Sequence, residues 1–171
     1  MILCPYCGAE AIPGADHCDE CSHSLTDVGL PEPATRVERG LLKDRIEILN
    51  PKSPLAVPPH TPVGEVLRQM AGRSIGCVMV VDGEQLVGIF SERDVLMRVN
   101  VDAAAMASRP IEAVMTRRPE TLRLRDRIAF ALHRMNVGGY RHIPVLDQED
   151  RLVGVVSIRD ILAYLTQRGA A

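Results

Sequence analysis

Two related heptapeptides stand at residues 88–94, "GIFSERD", and at residues 154–160, "GVVSIRD". Both contain a glycine, two apolar residues, a serine, an arginine and a final aspartate in the same order. Each follows an apolar run and precedes a helical pattern, which predicts a junction between a strand and a helix. The second occurrence indicates that part of the chain is duplicated.

The duplication extends far upstream of the heptapeptides. The segment that begins at Ile46 aligns without gaps with the segment that begins at Ile111, at a shift of 65 residues. An additional residue in "DQED", relative to "DGE", changes the shift to 66 and aligns the heptapeptides. Hairpin turns tolerate such insertions. The chain therefore contains a tandem repeat of about 60 residues.

Each repeat predicts the same order of elements. A short extended segment precedes an amphipathic helix, a hairpin of two strands follows, and a second helix closes the unit. Thr61 is expected to cap the first amphipathic helix and Asp126 its counterpart in the second repeat. The fold class is therefore α/β (α+β), with two β-α-β-β-α repeats. Because a unit of this size buries little apolar surface alone, the repeats are expected to pack as a pseudo-symmetric pair.

Composition divides the chain into four predicted segments. Residues 1–24 form a cysteine-rich head, and residues 25–45 form a linker that opens with "GLPEP". The later part of the linker, "RVERGLLKDR", allows a helical turn or two. The first repeat is assigned to residues 46–104 and the second to residues 105–171.

The overall composition is that of a packed globular protein. Apolar residues make up 46% of the 171 residues, charged residues 25%, and the formal net charge is −2. A secretory signal and an apolar stretch long enough to span a bilayer are both missing from the sequence. We therefore expect a soluble cytoplasmic protein that does not associate with membranes.

Four cysteines form two CxxC pairs, Cys4 with Cys7 and Cys18 with Cys21. Two such pairs supply the tetrahedral set of four thiolates that structural zinc takes. Iron in a rubredoxin-like site or a redox disulfide pair is the alternative. The nearby histidines, His17 and His23, are not needed as ligands, and Cys77 is expected to be a small core residue. The head resembles a short zinc ribbon, a family that binds nucleic acids or proteins.

Each heptapeptide allows two interpretations. Ser91 with Asp94, and Ser157 with Asp160, have the spacing of a helix-capping box. The same position, after a strand and beside a glycine, is also suited to an anionic ligand. The arginines Arg93 and Arg159 are partners for a phosphate, and the aspartates are partners for ribose hydroxyls. The two roles are compatible.

The repeats, together with "VMT" at 114–116 and "HIPVLD" at 142–147, resemble the CBS domain family, and a tandem pair resembles a Bateman module. The resemblance covers about residues 46–168. It implies an adenosine-containing ligand, such as AMP, ADP, ATP or S-adenosylmethionine, in clefts between the repeats. It also implies a set of nucleotide-binding residues. These are Ser91, Arg93, Asp94, Ser157, Arg159 and Asp160, with the strand start Arg141, His142, Ile143 and Pro144 lining the base pocket.

The first repeat departs from this pattern at "CVM", where the second has "HIP", so its cleft is expected to be altered or empty. No pattern of a catalytic site is present. The leading hypothesis is a regulatory protein that binds an adenosyl ligand, forms a homodimer through its CBS helices and signals to an unknown client protein. A second hypothesis is a zinc-ribbon protein that binds nucleic acid, with the repeats serving for dimerisation; a third is a scaffold without ligand. The arginine-rich segments favour a solvated face over a nucleic-acid groove.

Overall fold

The computed structural model describes residues 2–12, 15–25 and 35–169, so residues 26–34 of the predicted linker lie outside the described residues. It is a mixed α/β structure. The strands are β1 (Ile2–Leu3), β2 (Glu10–Ala11), β3 (Ala56–Val57), β4 (Cys77–Asp82), β5 (Gln85–Ser91), β6 (Thr116–Arg117), β7 (Leu122–Arg123), β8 (His142–Leu146) and β9 (Leu152–Ser157). The helices are α1 (Arg36–Lys43), α2 (Val63–Arg73), α3 (Glu92–Asp94), α4 (Ala103–Met106), α5 (Ile128–Gly138) and α6 (Ile158–Gly169).

The chain divides into two compact units. The first unit contains residues 1–51, 122–143 and 156–171, and the second contains residues 52–121 and 144–155. These units do not follow the limits of the sequence repeats, so the predicted segment boundaries stay a prediction. Strands β1 and β2 form an antiparallel pair, and the two larger sheets have the orders β3-β4-β5-β6 and β7-β8-β9.

The order of elements confirms the β-α-β-β-α repeat. The first copy runs from β3 through α2, β4 and β5 to α3, and the second from β7 through α5, β8 and β9 to α6. The hairpin β4-β5 turns at Gly83, whose φ of 60° suits glycine. The predicted apolar faces of α2 and α5 are buried at Val63, Val66, Met70, Ile128, Ala131 and Met135.

The predicted helix caps are wrong in both repeats. Helix α2 begins after Pro62 and helix α5 after Arg127, one residue later than Thr61 and Asp126 would require. Neither flanking residue caps its helix with a side chain. The Asp126 carboxylate accepts a hydrogen bond from the backbone amide of Arg123 at 2.7 Å instead.

Backbone groups from the preceding segment take the place of these caps. The amide of Val63, at the start of α2, donates to the carbonyl of Arg109 at 2.9 Å. The equivalent amide of Ile128, at the start of α5, donates to the carbonyl of Asp44 at 3.0 Å. Since the first helical amides are already bonded, a side-chain cap is not required there.

The leading segment of each repeat, which begins at Ile46 or Ile111, is exchanged between the repeats: it is hydrogen-bonded to the other repeat. The amide of Ile46 donates to the carbonyl of Asp126 at 2.9 Å, and the amide of Ile111 donates to that of Thr61 at 2.8 Å. Both isoleucines are fully buried. Strand β6 follows the same rule, because it begins the second repeat and pairs antiparallel with β5 of the first. The repeats are therefore intertwined, which the sequence alignment does not reveal.

The closing helices of the two repeats differ. In the second repeat, α6 is continuous over twelve residues. In the first, the three residues of α3 continue into a π-helix at Val95–Val99, and Asn100 then adopts a positive φ of 47°. π-helical turns are rare and often occur at functional positions. The predicted closing helix of the first repeat is thus present in a shorter and distorted form.

Candidate functional site

The first heptapeptide forms a closed network around Asp94. One carboxylate oxygen, Oδ2, accepts hydrogen bonds from the amide and the hydroxyl of Ser91 at 2.9 and 2.8 Å. The other, Oδ1, accepts from the hydroxyl of Thr116 at 2.8 Å and lies 3.4 Å from the guanidinium of Arg98. Only 6% of Asp94 is exposed. Both oxygens of this carboxylate are therefore engaged by the protein.

Arg98 also fixes the segment that leads into β6. Its guanidinium donates to the carbonyl of Val114 at 3.0 Å and to that of Met115. The π-helix carries this side chain one turn beyond Asp94, where it joins the carboxylate to the backbone of the second repeat's leading segment. The first motif therefore stabilises the exchanged strand.

The second heptapeptide repeats the contacts between the serine and the aspartate. The amide and the hydroxyl of Ser157 donate to Oδ2 of Asp160 at 2.7 and 2.6 Å. The two partners that engage Oδ1 in the first repeat correspond to Pro51 and Tyr164 in the alignment. Proline has no side-chain donor, and the hydroxyl of Tyr164 donates to Asp44 at 2.7 Å. Asp160 is half-buried, in contrast to Asp94.

The capping interpretation is thus confirmed for the first repeat, where Ser91 and Asp94 form a complete capping box. The amides at these junctions are less open to an anion than the sequence suggested. The amide of Glu92 donates to the carbonyl of Gly76 at 3.0 Å, and that of Ile158 to the carbonyl of Arg141 at 2.9 Å. These two amides are therefore already bonded within the protein.

The remaining predicted residues lie near the start of β8 and on α6. His142 is half-buried, Ile143 and Pro144 are buried, and Arg141 is exposed. The two heptapeptide arginines, Arg93 and Arg159, are exposed as well. The role of these residues in ligand binding stays a prediction.

Sequence reasoning missed three residues beside the motifs. Thr116 belongs to the quoted "VMT" pattern, but its partner Asp94 lies 22 residues away, so no local pattern links them. Arg98 is set by the π-helix, which has no sequence signature in this segment. Tyr140 precedes Arg141 directly, and its ring packs against Gly138, where a Cβ would overlap it. The "GGY" triplet was the available signal for that aromatic residue.

The four head cysteines form one cluster. Their sulfur atoms all lie within 4.8 Å of one another. The Sγ atoms of Cys4 and Cys21 are 3.7 Å apart, and those of Cys7 and Cys18 are 3.6 Å apart. A tetrahedral ion with metal–sulfur bonds of about 2.3 Å requires sulfur atoms about 3.8 Å apart. The distances exceed a disulfide bond of about 2.05 Å, so the cluster fits a metal ion and not a disulfide pair.

The two CxxC pairs form matching knuckles. The amide of Cys4 donates to the carbonyl of Ala9, and the amide of Cys18 to that of His23, both at 2.8 Å. The residue after each pair has a positive φ, 77° at Gly8 and 56° at Ser22. The first knuckle uses the predicted glycine, whereas serine adopts the same turn in the second.

Burial makes the thiols of Cys7 and Cys21 weak acids without a metal. It raises the pKa of the Cys7 thiol to about 11 and raises that of Cys21 as well. Burial acts on Cys18 in the same direction, but the amides of Cys21 and Glu20 outweigh it and lower the pKa. Metal binding replaces the thiol protons, so the affinity of such a cluster for a metal rises with pH.

The lone cysteine of the first repeat is a core residue, as predicted. Cys77 is 7% exposed in β4, and burial together with the charge of Glu92 raises its pKa to about 12. Among the described residues, no helix combines the length and the apolar composition needed to cross a bilayer.

Comparison with known proteins agrees with the repeat. Residues 47–100 and 111–167 each match the CBS domain. A CBS domain-containing protein of Arabidopsis thaliana is 36% identical over 104 residues, which cover 61% of this chain and 19% of that protein. The chain therefore spans about a fifth of the length of this curated relative.

Solved structures show the same architecture. A CBS-domain containing protein from Agrobacterium tumefaciens superposes with a TM-score of 0.65 at 27% identity, covering 70% of this chain and 98% of that one. A CBS domain protein from Pyrobaculum aerophilum, solved in complex with AMP, gives a TM-score of 0.64 at 27% identity. That match covers 74% of this chain and 99% of the other.

Proposed function

Because the chain belongs to the CBS domain family, we propose that it is a regulatory protein that binds an adenine nucleotide or another adenosyl ligand at its second heptapeptide. The observation that carries this proposal is the arrangement of the second heptapeptide in a CBS repeat. The amide and the hydroxyl of Ser157 hold the carboxylate of Asp160 at 2.7 and 2.6 Å, and this carboxylate is half-buried, whereas that of Asp94 is buried.

The second motif offers the groups that such a ligand requires. A carboxylate accepts hydrogen bonds from two neighbouring ribose hydroxyls, which is the role proposed for Asp160. Ser157 orients this carboxylate, and the exposed guanidinium of Arg159 is a partner for a phosphate. The backbone at the start of β8, from Arg141 to Pro144, supplies acceptors and donors for the base. The AMP complex of the Pyrobaculum aerophilum protein supports this class of ligand.

The four-cysteine cluster is proposed to hold a structural zinc ion. Cys4, Cys7, Cys18 and Cys21 together complete a four-coordinate set, which leaves no open position for a substrate. A head of this size has little apolar surface to bury, so the metal would supply the folding free energy that it lacks. This arrangement favours a regulatory protein over an enzyme, and reduced thiols favour the cytoplasm.

Dimerisation and signalling belong to the same proposal. Leu96 and Leu162 occupy equivalent positions on the closing helices and are 69% and 55% exposed. Apolar side chains on corresponding helices are suited to pairing with a second copy. A homodimer predicts twice the mass of one chain in light scattering, and a monomer at micromolar concentration would contradict it. The ligand would act on a client protein by shifting the population of conformations.

The function is tested by calorimetric titration of the zinc-loaded chain. AMP, ADP, ATP and S-adenosylmethionine are each titrated, and a thermal-shift series with the same four compounds provides a second readout. Specific binding must raise the melting temperature with ligand concentration, because the ligand stabilises the folded state by mass action. Absence of both heat and thermal shift with all four compounds would refute the proposal.

A further inference from the structure

The cysteine cluster is joined to helix α5 by its own backbone. The guanidinium of Arg134 donates to the carbonyl of Cys21, a member of the cluster, at 3.2 Å. The same guanidinium lies 4.9 Å from the centre of the Phe130 ring, which holds it against the helix. The second knuckle is therefore attached to helix α5 of the second repeat.

The first knuckle contacts the beginning of the same helix. Tyr6 lies between Cys4 and Cys7, and its carbonyl accepts from the amide of Arg127 at 3.3 Å. Arg127 directly precedes α5, and its guanidinium donates to the carbonyl of Lys43 at the end of α1. The two arginines are seven residues apart, which places them on one face of the helix. Both knuckles thus rest on one helical face.

Aromatic rings fill the space between the knuckles and the helix. His133 of α5 is half-buried, and its ring centre lies 4.4 Å from that of His23 and 5.8 Å from that of Tyr6. His133 is therefore, together with His23, a packing contact of the cysteine-rich head.

Helix α5 continues toward the proposed ligand site within the same unit. It ends at Gly138, and three residues later the carbonyl of Arg141 accepts from the amide of Ile158. Ile158 is the first residue of α6 and lies between Ser157 and Asp160. A displacement of α5 therefore reaches the motif through one short loop and one backbone hydrogen bond.

Helix α1 ties the two helices together from the other side. The carbonyl of Asp44 accepts from Ile128 at the start of α5, and its carboxylate accepts from Tyr164 and pairs with Arg168 on α6. A Cβ at Gly40 would overlap the hydroxyl of Tyr164, so α1 packs closely on α6. The head, α1, α5 and α6 form one connected structure.

We propose that the four-cysteine head is a metal-dependent effector of the ligand site at Ser157 and Asp160. With metal bound, the folded knuckles hold α5 and keep Arg141 and Ile158 in register. Loss of metal unfolds the knuckles, releases Arg134 and Tyr6 from their partners and loosens the motif. This inference rests on the proposed ligand function. Because linkage is reciprocal, the ligand also raises the affinity of the head for the metal.

The test compares AMP binding to the full chain in its zinc-loaded and chelator-stripped forms. Couplings of this kind change affinity by about 5- to 150-fold, and we expect the AMP dissociation constant to rise about tenfold on metal removal. Hydrogen–deuterium exchange of the same two forms should rise in residues 2–25 and also in residues 128–141 and 157–161. Equal AMP affinities, within twofold, together with exchange changes confined to residues 2–25, would overturn the inference.

Arg134→Ala tests the route of the coupling. The variant should retain one zinc ion per chain. The AMP dissociation constants of its chelator-stripped and zinc-loaded forms should differ by much less than tenfold, because the Arg134 guanidinium no longer bonds to Cys21. Arg73→Ala removes an exposed arginine from the last turn of α2 and should keep the ratio of the unchanged protein. If Arg134→Ala misfolds by circular dichroism, Arg134→Lys retains a donor and should show a partial ratio. This route would be contradicted if a folded Arg134 variant that binds zinc still showed a tenfold change in the AMP dissociation constant on metal removal.

The two proposals fail in different ways. If the zinc-loaded chain does not bind AMP or the other three compounds, the proposed function fails, while the exchange measurement still decides whether the metal holds α5 and α6. If AMP binds equally with and without zinc, the ligand function stands and the effector role of the head fails.

Discussion

The two heptapeptides share a sequence pattern but occupy different environments. In the first repeat, Thr116 and Arg98 engage the carboxylate oxygen that the serine leaves open. In the second repeat, the corresponding residues are Pro51, which has no donor, and Tyr164, which donates to Asp44. The motif itself sets the contact between serine and aspartate, and the residues around it differ between the two repeats.

The largest expected effect separates the two aspartates by ligand binding. Asp160→Ala removes the proposed acceptor of the ribose hydroxyls. Hydrogen bonds to a charged group contribute about 1.5–3 kcal/mol each, so we expect the AMP affinity to fall roughly 100-fold. Isothermal titration of the zinc-loaded protein measures this loss. Asp94→Ala is the matched control and should change the affinity less than threefold; equal losses in both variants would remove the distinction.

The next effect separates the same residues by stability. Asp94→Ala leaves the half-buried hydroxyl of Thr116 and the guanidinium of Arg98 without their shared acceptor. We expect the free energy of unfolding to fall by about 2 kcal/mol, because Arg98 is partly exposed and recovers some hydration. Asp160→Ala should cost about 1 kcal/mol, the loss of a helix cap. Urea unfolding of both variants makes the comparison, and a larger loss for Asp160 would contradict it.

The contribution of Tyr164 to the stability of the second repeat is expected to depend on pH. Burial and the neighbouring carboxylate of Asp44 raise the pKa of its phenol to about 12 from an ordinary value of 10.0. Above pH 10 the unfolded chain loses this proton while the folded chain keeps it. The stabilisation is therefore complete below pH 10 and is lost as the pH rises toward 12, by about 1–2 kcal/mol.

Tyr164→Phe should remove that alkaline decrease and cost about 1 kcal/mol at neutral pH, since Asp44 loses one donor but keeps Arg168. Thermal unfolding between pH 7 and 11.5 measures the difference between the two proteins. A difference that does not vary with pH would show that the phenol is not the titrating group.

The smallest expected effect on ligand affinity concerns the position that corresponds to Thr116, the residue that contacts the aspartate of the first motif. Pro51→Thr places a hydroxyl where Thr116 stands in the first repeat. If that hydroxyl donates to Asp160, the carboxylate becomes less available, and we expect about a threefold weaker AMP affinity, or about 0.7 kcal/mol. Pro51→Ala controls for the loss of the proline ring. An equal affinity in the two variants would mean that the threonine does not reach the carboxylate.

Local patterns predicted most of the fold. The helical spacing of Val63, Val66 and Met70 and the turn at Gly83 are properties of consecutive residues, so the elements of each repeat followed from the sequence. The cysteine cluster was predictable for the same reason, because two CxxC spacings fix the positions of all four thiols. The π-helix was not predictable, because no local pattern in Val95–Val99 indicates it.

The sequence alone could not predict how the surroundings of the two motifs differ. The pattern predicted an altered first cleft from "CVM", but the structural difference comes from Thr116, Arg98, Pro51 and Tyr164. Their contacts join residues that are 4, 22 and 120 positions apart. The helix caps failed in a similar way, since backbone carbonyls from Arg109 and Asp44 satisfied amides that a local side chain was expected to bind.

The exchange of leading segments has a consequence for synthesis of the chain. The amide of Ile46 obtains its backbone partner only at Asp126, 80 residues later in the chain. At a ribosomal rate of about 5–20 residues per second, this buried isoleucine waits roughly 4–16 s after it is made. The first repeat therefore cannot complete its fold while it emerges. A nascent chain of this kind gains from a chaperone that shields Ile46 until the second repeat arrives.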